Sequence, residues 1–131
     1  MARALIAAAT LPGAYPVLQP GAGTLAHAFY GADASNKNYT PLITGKTVLV
    51  AMNTDSGAHT VTVSSVADDK NRKGDITTYS LAAVTGTTPV IAMFGPFVTA
   101  GWLTPTDGVT PAGLWFEADS ALVKFAVLTL P

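Results

Sequence analysis

TVLVAMNTDSGAHTVTVSSV, running from Thr47 to Val66, decides the fold class. Its opening run, Thr47 to Met52, is compact and β-branched and reads as a buried strand. In His59 to Val66, Val61 and Val63 fall on one face while Thr60, Thr62 and Ser64 fall on the other. That period of two belongs to a half-buried strand. Between them, Asn53-Thr54-Asp55-Ser56-Gly57 carries hairpin-turn chemistry. Asn, Asp and Gly tolerate positive φ, and Ser and Thr bond their own backbone.

The same alternation of short strand and turn extends outward. Leu25 to Tyr30 is a strand candidate, followed by a polar turn over Asp33 to Asn38. Downstream come Thr77 to Ala83, then Val90 to Phe94, with a kink expected at Gly95-Pro96 because proline removes a ladder donor. Thr104 to Gly113 holds two prolines and two glycines and reads as an exposed loop. Leu114 to Ala118 and Ala121 to Leu130, joined by Asp119-Ser120, close the chain. In the last of these, Val123, Phe125 and Val127 share one face and Leu122, Ala126, Leu128 and Leu130 the other. Apolar residues on both faces mean burial on both sides, one against the core and one against a neighbour or a folded-over arm.

Ala4 to Ala9 has helical composition but weak caps, and Pro12 ends it. Seven or eight short strands predict an all-β fold, a single antiparallel β-sandwich or jelly-roll-like barrel over residues 24–131. Residues 1–23 contain Pro12, Gly13, Pro16, Pro20, Gly21 and Gly23 and read as an extended N-terminal arm, with room for one short strand at Arg3 to Leu11.

Charge is scarce. The chain has 7 basic and 8 acidic residues, 11% in all against roughly 25% for soluble domains, while 49% of residues are hydrophobic. A body of 13.4 kDa has much surface for its volume, so the apolar surplus is expected to lie against other protein. Asp68, Asp69, Lys70, Arg72, Lys73 and Asp75 gather in one segment that reads as a wet tip. The net charge of −1 gives no footprint for nucleic acid and no polybasic run for lipid. Val90 to Leu103 is too short and too broken for a membrane helix. The absence of cysteine excludes disulfides and thiolate chemistry. Met1-Ala2-Arg3 before Ala4 to Ala9 falls short of a secretory signal.

No catalytic, cofactor or metal residues are assigned. Glu117 is the only glutamate and is expected to face solvent or to pair with Lys124. His27 and His59 lack metal-ligand spacing. No serine stands in a nucleophile elbow, and Ser56 before Gly57 is turn chemistry. Asp69, Asn71 and Gly74 echo a calcium loop, but Lys73 takes a ligand position and no distal glutamate follows. Asn38-Tyr39-Thr40 fits a glycosylation sequon, relevant only to a secreted eukaryotic chain.

The phrases Asn53 to Val63, Arg72-Lys73-Gly74-Asp75-Ile76, Phe94-Gly95-Pro96-Phe97 and Val123 to Val127 together resemble small virion structural proteins of tailed bacteriophages. The resemblance covers roughly residues 45–131. It implies a head-decoration or cement protein: a β-sandwich on the capsid exterior, made in the host cytoplasm and clustered with sister copies, often as trimers. Its partners would be the major capsid protein and those copies. The expected contact residues are Leu5, Ile6, Leu11, Tyr15, Val17 and Leu18 of the arm, then Leu122, Leu128 and Leu130. The alternative is a tail- or fibre-associated module that recognises a host glycan through Trp102, Trp115 and the 104–113 loop.

Overall fold

The computed structural model describes residues 2–10 and 29–131 and is all-β. In chain order the strands are β1 (Ala4–Leu5), β2 (Ala8–Thr10), β3 (Tyr30–Gly31), β4 (Asn38–Thr40), β5 (Thr47–Asn53), β6 (His59–Val63), β7 (Ile76–Leu81), β8 (Val90–Phe97), β9 (Leu114–Ala118) and β10 (Val123–Thr129). One short helical turn, α1 (Thr99–Trp102), follows β8. They form two sheets. The first has the order β1-β4-β9-β6-β7 and the second β2-β10-β5-β8, with β3 also pairing β10.

The strands read over 47–52, 59–66, 77–83, 90–94, 114–118 and 121–130 are present, β9 with the bounds expected of it, while most of the candidate Leu25 to Tyr30 lies outside the described residues. Three features differ. First, the sheets are mixed rather than antiparallel, because β1 runs parallel to β4 and β2 parallel to β10. Second, the turn after β5 is not a hairpin. β5 belongs to the second sheet and β6 to the first, so residues 53–59 carry the chain from one sheet to the other. Turn chemistry fixes the local reversal but not whether the flanking strands pair. Third, β8 continues through Gly95-Pro96 to Phe97, its ladder to β5 shifting register between Thr47 and Leu49. Gly95 has φ +109°, and a Cβ there would lie 2.8 Å from the Thr47 carbonyl oxygen.

The arm expected over 1–23, with room for one short strand at Arg3 to Leu11, holds two strands in its first part, and both pair with the body. Ala4 N–H donates to the Lys37 carbonyl and Ile6 N–H to the Tyr39 carbonyl, each at 2.9 Å. The chain then crosses to the second sheet, where Ala8, Ala9 and Thr10 pair with Val127, Leu128 and Thr129. These residues belong to the body, bound to it by ladder hydrogen bonds. Leu11, Tyr15, Val17 and Leu18 lie outside the described residues.

Both sheets feed one core. Leu49, Phe94, Phe97, Val123 and Phe125 come from the second sheet, and Val61, Val63, Leu81, Leu114 and Phe116 from the first. Phe116 and Phe125 meet edge to face across it at 4.8 Å between centroids. A second apolar cluster lies on the opposite side of β5 and β10. Val48, Val50, Ala126 and Leu128 form it, with Ala9, Phe29 and Leu130 packed against it. The two-faced burial expected of β10 is thus observed, one face in each cluster.

Candidate functional site

Where the N-terminal segment passes from the first sheet to the second, it leaves a groove of about 350 Å³. Arg3 sets the entry. Its backbone N–H donates to Thr110 Oγ1 at 2.9 Å, and its guanidinium reaches the carbonyls of Asn38 and Phe116 at 3.3 Å each. The same guanidinium lies over the Trp115 ring, 4.7 Å from the centroid. Partial burial holds the Arg3 pKa below its ordinary value, against the opposing pull of Glu117 and Asp107.

With Arg3 held, alternation dictates the rest. Ile6 points into the core and is 3% exposed, while Leu5 points outward and is 55% exposed. Opposite, Leu42 is buried and its neighbour Ile43 is 80% exposed. Leu5, Ala7, Ala8, Pro41 and Ile43 line the groove, with Thr47 and Thr129, a cross-strand pair, among its polar residues. Among the described residues no titratable side chain lines it. Such a groove accepts an apolar side chain, and its described lining holds no acid or base to activate the threonine hydroxyls there.

Of the contact residues expected from the sequence, Leu5 lines this groove. Ile6 is corrected, since it is core and unavailable to a partner. Leu128 is likewise corrected, being buried in the second cluster, where Leu130 packs beside it. Leu122 is half exposed in the turn before β10. Sequence reading missed Pro41 and Ile43. The in-out alternation of Leu42 and Ile43 was the available signal, hidden because no regular strand surrounds it.

The polar groups gather elsewhere. On the outer side of the first sheet, a hollow of about 250 Å³ is lined by Lys37, Thr60, Thr62, Thr78, Glu117 and Asp119 among others. Glu117 pairs with Lys37 at 2.6 Å, not with Lys124, which sits in the other sheet. His59 is held between two carboxylates, Nε2 at 3.0 Å from Asp55 and Nδ1 at 3.1 Å from Asp119. The His59 contact is the main reason that the Asp55 carboxyl lies below its usual pKa. Among the described residues no group of three His, Cys, Asp or Glu side chains is arranged to hold a metal ion.

The charged tip is closed on itself. The Asp68 carboxylate accepts from the backbone N–H groups of Lys70 and Arg72 at 2.9 and 2.8 Å and pairs with the Arg72 guanidinium. The two tryptophans are not brought together. Trp102 packs edge to face on Phe97 at 4.8 Å and lies directly over Gly74. Trp115 carries Arg3 on its ring and donates its indole N–H to the Pro111 carbonyl. Each ring is thus engaged separately by its own chain. No helix among the described residues is long and apolar enough to cross a membrane.

No known protein family, curated protein or solved structure matches the chain.

Proposed function

We propose that this chain is a non-enzymatic structural subunit that binds protein neighbours through apolar surface. In line with the resemblance of its strand phrases, its setting is the outside of a tailed-phage capsid. There it would dock on the major capsid protein beside sister copies. Two sheets packed on a common core support a β-sandwich as its architecture.

The observation that carries this reading is the uncharged groove between Leu5 and Ile43. Two large aliphatic side chains stand exposed on its walls, where solvent contact earns no stability. Covering apolar area contributes roughly 25 cal/mol per Å², and repetition over a shell multiplies a modest contact. The test is occupancy on undecorated shells of the encoding phage. The double variant Leu5→Asp/Ile43→Asp, altered only at exposed positions, is expected to lose occupancy at least tenfold while its thermal unfolding stays near wild type. Unchanged occupancy refutes the role of the groove, and no binding of the wild-type protein to shells refutes the capsid assignment.

A further inference from the structure

Asp75 and Asp107 are consecutive charged residues in this chain; nothing between them carries a charge. That neutral stretch supplies β7 and β8, the terminal strands of the two sheets, and the two lie side by side, with Tyr79 and Phe94 in edge-to-face contact at 5.1 Å. Among the described residues, the two sheet edges that meet here are therefore built from strands without a charged residue. Soluble proteins commonly guard such edges with lysines, inward charges or prolines.

Among the described residues β8 has a ladder partner on one side only, β5. Its outward face carries Ile91 and Met93, which are 53% and 66% exposed. The register with β5 places them on the same side as Val50 and Met52, so their exposure follows from the edge position.

We propose that β8 pairs antiparallel with β8 of a second copy across a two-fold axis centred at Ala92. The lack of charge, together with two rules of strand geometry, points to a second copy as the occupant. A partner chosen by charge has nothing here to read. An antiparallel edge is complementary to itself in its backbone groups, as a two-fold interface requires. In addition, only an even sum of paired residue numbers keeps outward side chains together, and centring on Ala92 sets Ile91 opposite Met93 in both halves. Pro89 and Pro96 lie outside the paired core and limit it to the residues between them. Ile91, Met93 and the flanking Tyr79 offer roughly 300 Å² of side-chain surface per copy. Backbone and flanking residues bring this toward the roughly 600 Å² per partner at which specific interfaces begin. The inference names the sister-copy contact within the proposed role, and it is tested without shells.

The experiment is sedimentation equilibrium of the full chain with Met93→Lys, Ile91→Lys and a control, Val109→Lys, altered at a position exposed in a different loop. The wild type and the control are expected to be dimers. Each β8 variant, shown folded by its circular dichroism and melt, is expected to dissociate with a constant raised at least about tenfold, because a lysine is set against an apolar neighbour. Register is read by cysteine cross-linking, which the cysteine-free chain makes unambiguous. A mixture of Ile91→Cys and Met93→Cys chains should form a disulfide dimer faster than either alone. A monomeric or trimeric wild type overturns the proposal. So does a dimer indifferent to both lysines, or equal cross-linking in the single-variant samples. All of these outcomes leave the shell-occupancy test of the capsid role standing.

Discussion

Asn53 ends β5 and is fully buried, and its side chain makes the corner by which the chain changes sheets. Its Nδ2 donates to the carbonyls of Gly57 and Ala82, and its Oδ1 accepts from Asp55 N–H, all at 2.9 Å. Asn53→Ala removes all three bonds. At about 1 kcal/mol net for each, with partners close enough to solvent to be partly rehydrated, the loss is about 3 kcal/mol. That is a large part of a stability of roughly 5–15 kcal/mol. With a urea m-value of about 2 kcal/mol/M, the midpoint falls by about 1.5 M. Asn53→Asp is the sharper probe. At neutral pH it keeps the bond to Asp55 N–H but turns an oxygen toward two carbonyl oxygens and buries a charge, so it should be the less stable of the two. Protonation restores one donor, so its deficit relative to wild type should narrow as pH is lowered from 7 toward 4. Equilibrium urea unfolding across that range measures both effects. An alanine variant within about 0.5 kcal/mol of wild type, or an aspartate variant no worse than alanine at pH 7, would refute the clamp.

Other sites give independent tests. Gly74→Ala would place a Cβ 2.1 Å from Trp102 Cζ2, and Phe97 packs on the same ring, so about 1–3 kcal/mol and several degrees of Tm should be lost, with a shift in tryptophan fluorescence. In a double-mutant cycle of Phe116→Leu and Phe125→Leu, urea unfolding should show a coupling of about 0.5–1.5 kcal/mol; additivity would deny the ring contact between the sheets. Acid should destabilise the fold in a defined window. Asp33, Asp55, Asp68 and Asp107 all have folded pKa values below the usual 3.8, held down chiefly by hydrogen bonds from Asn36, His59, Arg72 and Thr110 respectively. The stability they contribute is complete above the unfolded value and is lost as pH falls through the folded ones. Asp55→Asn should therefore flatten the dependence of the urea midpoint on pH below about 4, and an unchanged slope would contradict the His59 contact.

The parts legible in the sequence are those where hydrophobic alternation runs for several residues with solvent on one side. β6 and β9 were readable for that reason. β4 was not, since its inward residues are Asn38 and Thr40, both buried, and a pattern built on apolar residues sees only a polar turn. For the N-terminal segment a strand at Arg3 to Leu11 was readable, but its pairing with both sheets was not. Arg3 looks like a solvated charge, yet it is satisfied by Trp115 and by carbonyls far away in the chain, which no local window contains. The groove between Leu5 and Ile43 inherits that difficulty, because it exists only once Arg3 has fixed the crossing.

The scarcity of charge also has a more exact structural meaning than a general need for neighbours. Part of the apolar surplus is absorbed within the chain, since Val48, Val50, Ala126 and Leu128 form a second buried cluster behind β5 and β10. A single core would have left those side chains to a partner. Among the described residues, the exposed large apolar side chains include two neighbouring pairs, Leu5 with Ile43 at the groove and Ile91 with Met93 on the β8 edge, beside more scattered ones such as Val109 and Leu122. The ion pairs of Lys37, His59 and Arg72 belong to neither place. The proposed role calls for two separate contacts, one with a shell and one with a sister copy, and the groove and the β8 edge are two apolar places that those ion pairs leave open.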